Sequence, residues 1–362
     1  MGPFDVAWLA ASVRLSTPLL FAATGELVAE RTGILNIGLE GMMLAGAFFA
    51  YLVGYLTESM WLGLLAGIGA GITIALPMAL LSINARADQI VIGVGLNLLA
   101  LGVTTFAFRE VFAGQPEAHL ARPESFALPL LSGIPVLGRP LFNQTILVYV
   151  AFLGVGAVWF VLFRTRVGLA IRAAGEVPAA ADTAGVRVDR IRWAGTLVAG
   201  AMAGLAGGYL SVGQLGFFIE GMSAGRGFLA LAAVIFGGWR PVGVLGACLV
   251  FGAADALQLR LQAEATVPRQ AWLAVALVAV AYLAYAHSRR RSRGIDPKGL
   301  MGGLLLSAAG LALFAVAPAW HFPSQLWLTM PYVLALLALA GFVGRVRMPT
   351  AIAIPYRRGG ET

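Results

Sequence analysis

The stretch MWLGLLAGIGAGITIALPMALLSI, residues 60–83, contains no charged residue. As an α-helix rising about 1.5 Å per residue, a segment of this length crosses the roughly 30 Å hydrocarbon core of a bilayer. Similar apolar runs recur along the chain. The sequence therefore predicts an all-α polytopic membrane protein with eleven crossings, at residues 7–28, 34–56, 60–83, 89–108, 144–163, 191–212, 226–238, 241–260, 270–287, 300–318 and 325–344.

The composition supports a membrane location for the whole chain. Of its 362 residues, 59% are hydrophobic and 12% are charged, whereas about a quarter of the residues in soluble domains are charged. The net charge of +8 comes from arginines at the ends of apolar runs. Membrane topology explains that placement, so we expect no nucleic-acid partner. The single cysteine, Cys248, cannot form an internal disulfide or a cysteine-rich metal site, and we expect no metal.

The distribution of arginine predicts the topology. Residues 164–192 and the HSRRRSRGIDPK stretch at 287–298 are strongly basic, and short basic loops stay on the cytoplasmic side. Counting crossings from either loop places the N-terminus and the long segment 109–143 outside and the C-terminus inside. The opening residues MGPFDVAW lack the basic region of a signal peptide, so we expect the first apolar segment to be retained.

One predicted crossing is irregular. The span at 226–238 is short, and its end GGWRPVG is rich in helix-breaking residues. One interpretation is a broken or re-entrant pair of helices beside a transport path, because non-helical backbone at membrane depth needs protein or water around it. The other interpretation is a tight inner turn between short tilted helices.

The cytoplasmic loop 164–192 contains a short helical signal. Pro178 suits the first turn of a helix and Gly185 suits its end. The intervening AAADTA would form a helix about 10 Å long with a nearly featureless alanine surface. Such a surface favours docking into a groove of another protein, although an ordinary alanine-rich surface turn also fits these residues.

Several stretches resemble the permease subunits of ATP-binding-cassette (ABC) transporters of the branched-chain amino acid, ribose and nucleoside branch. Within that branch, the resemblance is to nucleoside and simple-sugar uptake permeases, with the alanine-glycine loop matching the cytoplasmic coupling loop. The matching stretches are GELVAERTGILNIGLEGMMLAGAF (25–48), DQIVIGVGLNLLALG (88–102), AIRAAGEVPAAADTAGV (170–186), FLALAAVIFGGWRPVGVLGA (228–247) and LTMPYVLALLALAGFVGR (328–345).

The resemblance implies a function and a set of partners. It implies import of nucleosides, or alternatively of simple sugars or branched-chain amino acids, across a bacterial inner membrane. The implied partners are a cytoplasmic ABC ATPase that holds ATP and magnesium, a second homologous permease in a heterodimer, an extracytoplasmic substrate-binding lipoprotein, and membrane lipid. The coupling-loop residues that the resemblance assigns are Gly168, Glu176, Pro178, Ala180, Ala184 and Gly185.

The chain departs from the family pattern near its C-terminal end. In the family, a segment like LQLRLQ is followed soon by one like FPSQLWLTMPYVL, but here two predicted spans and the basic block intervene. We therefore expect a permease core at 1–267, an inserted two-helix hairpin at 268–320, and a last transmembrane helix with a cytoplasmic tail at 321–362. The insertion keeps the predicted parity.

Polar side chains inside apolar spans are the candidates for a substrate path, because a central carboxylate costs about 2.5–3.5 kcal/mol to insert. We select Asn36, Glu40 and Asn97. A structural role, as a hydrogen bond between helices, is the alternative for Glu40 and Asn97. We further expect Asp255 to pair with Arg260.

Two other groups of residues have a stated expectation. Gly204, Gly207 and Gly208 form a small-residue face on one predicted span, and such a face indicates close helix packing. Phe217 and Phe218 are expected in an interfacial aromatic belt, with stacking on a nucleobase as the alternative.

The sequence shows no catalytic signature. It has no H-E-x-x-H or G-x-S-x-G motif, and its only lysine, Lys298, lies in DPKGL without a phosphate-binding glycine-rich loop. We therefore expect a transport subunit whose ATPase is a separate chain. A self-sufficient, ion-coupled secondary transporter is the alternative from another class, because broken helices and buried carboxylates suit it equally.

Overall fold

The structure, a computed structural model, describes residues 5–113, residues 120–264 apart from 122, 128, 130–131 and 136–137, isolated positions between 280 and 336, and residues 348–357. The described chain is helical apart from one small sheet. Its elements are α1 Val6–Arg31, α2 Leu39–Thr57, α3 Met60–Ala79, α4 Gln89–Val111, β1 Ser125–Ala127, α5 Gly138–Phe142, β2 Asn143–Thr145, α6 Ile146–Arg164, α7 Arg166–Glu176, α8 Pro178–Thr183, α9 Val188–Gly208, α10 Arg226–Phe236 and α11 Pro241–Glu264.

Seven helices of the described part are long and apolar enough to cross a membrane. They are α1, α2, α3, α4, α6, α9 and α11, where α3 and α9 continue as π-helix over Leu80–Asn84 and Tyr209–Leu215. Each falls on a predicted crossing, which confirms a polytopic helical membrane protein. The three crossings predicted after residue 264, including the hairpin at 268–320, lie outside the described residues apart from isolated positions. The total of eleven stays a prediction.

Glycines allow the central helices to touch backbone to backbone. α9 packs against α1, α2 and α3. A Cβ atom at Gly204 would lie 2.2 Å from the carbonyl oxygen of Gly67, and one at Gly207 would lie 1.8 Å from that of Met43. Neither position therefore accepts a side chain while the helices keep their separation. The predicted packing role of this face is confirmed for these two glycines.

An ion pair joins the N-terminal end of α1 to the C-terminal part of α11. Asp5 is the N-cap of α1 and accepts a hydrogen bond from the backbone N–H of Trp8 at 2.9 Å. Both of its oxygens accept hydrogen bonds from Arg260, at 2.9 and 3.0 Å, and this contact lowers the pKa of Asp5. The expected pairing of Arg260 with Asp255 is thus corrected, since Asp255 lies 3.8 Å from Arg226 on α10.

Two elements differ from the sequence expectations. Residues 125–127 and 143–145 form an antiparallel two-stranded sheet in the predicted outer segment, and strands of three residues are too short to give an alternating pattern. Within the loop predicted to be cytoplasmic, α7 is an additional amphipathic helix. Its N-cap is Thr165, whose hydroxyl accepts a hydrogen bond from the N–H of Gly168 at 3.1 Å.

We predict that Gly207→Ala destabilises the fold by about 1–3 kcal/mol, because the added methyl group must push α2 and α9 apart. The matched control is Gly156→Ala on α6, where a Cβ atom meets no heavy atom within 4 Å. The measurement is the melting temperature of the detergent-solubilised protein. Equal melting temperatures for the two variants would contradict the close-packing argument.

Candidate translocation path and coupling surface

The chain between α1 and α2 is a non-helical break, residues 32–38. Asn97 of α4 holds this break in place. Its side-chain nitrogen donates to the carbonyl oxygen of Ile37 at 2.9 Å, and its side-chain oxygen accepts the N–H of Gly41 at 2.7 Å. Gly41 lies in the first turn of α2, where N–H groups have no partner within the helix. Asn97 therefore closes the break and caps α2 at the same time.

Glu40, in the first turn of α2, caps a second helix. Its two carboxylate oxygens accept the backbone N–H groups of Gly225 and Gly227, at 2.7 and 2.6 Å. These residues begin α10, and Gly225 has the left-handed φ of +77°. A negative side chain is favourable at a helix N-terminus, where N–H groups and the helix dipole point toward it. Both oxygens of Glu40 are thus engaged with the backbone of α10.

α10 is only half as long as a crossing helix. Its 11 residues span about 16 Å. Just beyond its C-terminal end, Trp239 adopts a left-handed φ of +53°. The indole N–H of Trp239 donates to the carboxylate of Glu30, and its carbonyl oxygen accepts from Nε of Arg31 at 3.0 Å. α10 therefore extends from the start of α2 to the end of α1, beside the break. This arrangement fits the broken or re-entrant interpretation of residues 226–238.

Four buried polar residues around the break were only partly anticipated. Asn36, a predicted path residue, is fully buried, and its N–H donates to Glu26 at 3.0 Å. Gln89 accepts the N–H of Leu35 at 2.8 Å. One polar side-chain atom in each of Glu26, Glu30, Asn36 and Gln89 has no hydrogen-bond partner in the structure. Buried polar atoms usually have one, so the wall of the break presents unused hydrogen-bonding capacity.

The signal for these missed residues was present but weak. Glu26 and Glu30 are four residues apart and therefore share one face of α1. Both are fully buried. In the sequence they stand at the end of an apolar run next to Arg31, which is where charged residues normally meet the aqueous boundary. The local pattern therefore does not distinguish them from residues at the membrane surface.

The segment between α9 and α10 is anchored on α2 and α4. Phe218 is only 3% exposed and packs against Phe48 of α2 and Phe108 of α4, with ring centroids 5.4 and 5.1 Å apart. An interfacial belt does not describe Phe218, because its ring is enclosed by aromatic neighbours. Next to it, Arg109 donates two hydrogen bonds of 2.8 Å to Glu220, which lowers the pKa of that carboxyl.

The start of α10 also carries an ion pair. Arg226 is 3.8 Å from Asp255 of α11 and donates to the carbonyl oxygen of Met222 at 3.3 Å. The hydroxyl of Tyr332 donates to the carbonyl oxygen of Ala224. Together with Glu40, these contacts join α2, α11 and the described residues near 332 at the N-terminus of α10.

The outward face of α4 carries an open groove of about 590 Å³, lined among others by Leu98, Phe106, Arg109 and Glu220. None of the predicted path residues lines it. The groove therefore lies apart from the break, on a face of α4 whose apolar side chains are largely exposed.

The predicted coupling helix forms as α8, Pro178–Thr183, with Pro178 in its first turn. Ala180 and Ala184 are exposed, whereas Ala181 is buried against Ala174 and Val188. α8 therefore presents small side chains outward while it is fixed to the protein by its other face. An exposed surface of this kind accepts close approach by a partner.

Two glycines allow the turns before α7 and after α8. At Gly168 a Cβ atom would lie 2.0 Å from the carbonyl oxygen of Val161, so the corner between α6 and α7 requires glycine. Gly185 has a φ of +85° after α8, a conformation in which glycine is favoured. Glu176 ends α7 and lies 3.9 Å from Arg31.

We predict that Glu40→Gln lowers both stability and transport. Glutamine has one acceptor oxygen, so one of the two N–H groups at the start of α10 loses its partner, at a cost of about 1–3 kcal/mol. The measurements are the melting temperature in detergent and uptake in cells at matched abundance. The control is Glu58→Gln, at the exposed end of α2. Normal melting with impaired uptake would instead assign Glu40 a direct contact with substrate, and normal values for both would exclude either role.

Comparison with known proteins gives the family. Residues 8–285 match the family described as the branched-chain amino acid transport system / permease component. The guanosine ABC transporter permease protein NupQ of Bacillus subtilis is 35% identical over 360 residues, covering 96% of both chains. The nucleoside ABC transporter permease protein NupC of Lactococcus lactis is 40% identical over 245 residues, 66% of this chain and 77% of its own.

A further relative, the putative glucose ABC transporter permease protein of Haloferax volcanii, is 40% identical over 263 residues, 72% of this chain and 79% of its own. No solved structure is significantly similar to the chain. The family match covers most of the chain, and the relatives are permeases rather than ATPases. With its membrane-length helices, the chain therefore belongs to the ABC-transporter permeases of the branched-chain amino acid transport family and is a multi-pass subunit of the inner membrane.

Proposed function

We propose that the chain is the permease subunit of an ABC importer for nucleosides. The observation that carries the substrate class is similarity along 96% of the chain to a permease named for guanosine, together with the nucleoside permease of Lactococcus. A simple sugar is the second candidate, because a relative named for glucose is 40% identical over 72% of the chain. Family membership favours an ATP-driven importer over an ion-coupled transporter.

We place the substrate path along the break, near Asn36, Glu40 and Asn97. In this proposal Glu40 and Asn97 act as positioning residues, because their polar atoms hold the N-termini of α10 and α2 beside the break. The unused hydrogen-bonding atoms of Glu26, Asn36 and Gln89 suit a neutral substrate rich in hydroxyl and amino groups. A carboxylate substrate would instead need a cation or a free helix N-terminus, and the N-terminus of α10 is already occupied by Glu40.

Membership of the family indicates the general kinds of partner. An ABC permease works with an ATPase subunit and a substrate-binding protein. We propose that ATP and magnesium bind to the ATPase, that the binding protein is an extracytoplasmic lipoprotein, and that a second, homologous permease completes a heterodimer. Exposed apolar side chains on α4 and α6 suit contact with lipid or with that second permease.

The orientation and domain division are part of the proposal. Eleven crossings place the N-terminus and 109–143 outside, and 164–192 and the tail inside. The division is a core at 1–267, a hairpin at 268–320 and a last helix with its tail at 321–362. The arginine distribution along the sequence supports the orientation. The two extra predicted spans between LQLRLQ and FPSQLWLTMPYVL support the division.

The substrate prediction concerns uptake. Deletion of the gene is expected to abolish the binding-protein-dependent uptake of labelled purine and pyrimidine nucleosides, measured at submicromolar concentration, and a plasmid copy is expected to restore it. The control substrates are labelled glucose, ribose and leucine. Normal nucleoside uptake with lost sugar or leucine uptake would transfer the proposal to that substrate.

The orientation prediction uses single cysteines in a Cys248→Ala background. Ser125→Cys, on the predicted outer side, is expected to react with an impermeant thiol reagent in intact cells. Ser292→Cys, in the predicted inner basic block, is expected to react only after lysis. Equal labelling of both positions in intact cells would contradict the proposed topology.

We further propose that α8 is the contact through which the ATPase acts on the permease. Its exposed alanines allow close approach, and surrounding arginines contribute little because an exposed ion pair supplies only about 0–1 kcal/mol. Shape is therefore expected to matter more than charge. Gly168, Glu176 and Gly185 orient α7 and α8 at the two sides of this surface.

For this contact we predict that Ala180→Trp and Ala184→Trp weaken ATPase association at least about tenfold, the effect of losing roughly 1.4 kcal/mol. Neutralising Arg187 or Arg190 is expected to do less. The measurements are co-purification of the ATPase and substrate-stimulated ATP hydrolysis in liposomes, with membrane insertion and melting temperature as controls. Wild-type association in both tryptophan variants would exclude α8 as the contact.

A further inference from the structure

The described C-terminal residues return to the cytoplasmic end of the helices. Residues 349–356, here called the C-terminal strap, bridge two parts of the permease that are far apart in sequence. The N–H of Ala351 donates to the carbonyl oxygen of Gly175 at 2.9 Å, and the N–H of Ala353 donates to that of Gly33 at 3.1 Å. One short segment therefore bonds both to the end of α7 and to the break between α1 and α2.

The strap is packed against the helices. Ala351 is 6% exposed, and a Cβ atom at Gly33 would lie 3.0 Å from its carbonyl oxygen. Gly33 has a left-handed φ of +96°. Both this conformation and the close approach of the strap therefore favour glycine at this position. Arg192 of α9, which is 2% exposed, donates to the carbonyl oxygen of Ile354 at 2.9 Å.

The strap also contacts α7, α8 and α9. Tyr356 packs against the cluster formed by Ala174, Ala181 and Val188, which belong to α7, α8 and α9. The hydroxyl of Thr350 donates to the carbonyl oxygen of Glu176 at the end of α7. The strap therefore touches the buried side of the same short helix whose outer side exposes Ala180 and Ala184.

From the break, the contacts continue to α10. Glu176 lies 3.9 Å from Arg31, and Arg31 in turn donates to the carbonyl oxygen of Trp239 at 3.0 Å. Prolines at 349 and 355 bracket the strap and restrict its backbone. The strap thus links α7 and α8 to the break through a stiff, hydrogen-bonded segment. This link is additional to the covalent connection through α6 and α9.

We propose that the C-terminal strap is a positioning element for transport, which transmits movement of the coupling helices to the break between α1 and α2. The inference rests on the proposed role of α8 as the ATPase contact. In this arrangement the strap residues contact neither substrate nor nucleotide. They act by keeping the end of α7 and Gly33 in a fixed relative position. A movement of α8 then also moves the break, which forms the wall of the proposed path.

The test compares two substitutions at one position. Ala353→Pro removes the N–H that donates to Gly33, and proline does not accept the observed φ of +59°. Ala353→Gly retains the N–H and tolerates that φ, and it serves as the matched control. Each variant is purified with its ATPase and binding protein and reconstituted in liposomes. The readout is the amount of nucleoside imported per ATP hydrolysed, measured beside ATPase co-purification and melting temperature.

We expect Ala353→Pro to lower import per ATP about fivefold, within the range reported for residues that couple distant sites. The ATPase is expected to co-purify as with the wild type, and Ala353→Gly is expected to match the wild type in every measurement. An unchanged ratio in Ala353→Pro would overturn the proposal. A fall in import that only follows the abundance of the permease, with normal import per ATP hydrolysed, would also overturn the proposal. Such a result would indicate that the strap only stabilises the fold.

A milder variant covers the case in which Ala353→Pro does not assemble. Thr350→Val removes the hydroxyl contact with Glu176 and leaves the backbone unchanged, and a lowered ratio is expected again. A normal ratio in this variant would then overturn the proposal. Truncation after Arg357 removes none of the described strap contacts and is expected to leave the ratio unchanged. If the ATPase fails to co-purify with the wild-type permease, the proposed function fails instead, so the two failures are distinguishable.

Discussion

The carboxylate of Glu40 joins the start of α2 to the start of α10, and the irregular part of the fold depends on this contact. A half-length helix inside a membrane protein leaves N–H groups at its N-terminus without partners, and each is costly in an apolar surrounding. Glu40 satisfies two of them, at 2.7 and 2.6 Å, and both of its oxygens thereby gain a donor. Each group therefore supplies the hydrogen-bond partner that the other needs.

The break and α10 are set against a much more regular scaffold. α9 packs backbone to backbone with α2 and α3 through Gly204, Gly207 and Gly67, and such contacts leave little room for helices to slide. In the break itself, the side chains of Asn97 and Glu40 supply hydrogen bonds to backbone groups that no helix partner satisfies. A permease must alternate between open and closed paths, and hydrogen bonds from single side chains are exchanged more readily than backbone packing between helices.

ABC permeases work with a separate ATPase subunit. If that subunit docks on α8, as we propose, this chain has to connect the exposed surface of α8 to the break. α8 is fixed by Ala181, α7 ends beside Arg31, and Arg31 contacts Trp239 at the end of α10. These contacts form a continuous connection between the exposed surface of α8 and the break, which we propose to be the partner contact and the wall of the path.

The sequence by itself determined the class of the protein and the positions of the seven membrane-length helices in the described part, since apolar runs of about 20 residues are a local property that the bilayer thickness sets. It also placed α8, because proline and glycine act on their own backbone. Only the tertiary structure decided what the polar residues contact. Glu40 meets a helix 185 residues further along the chain, and Arg192 meets a carbonyl group 162 residues away. Glu26 and Glu30 stand at the end of an apolar run, yet they are buried because the break and the α10 turn fold over them. No local pattern contains such pairings, since they depend on how close-packed helices bring distant segments together.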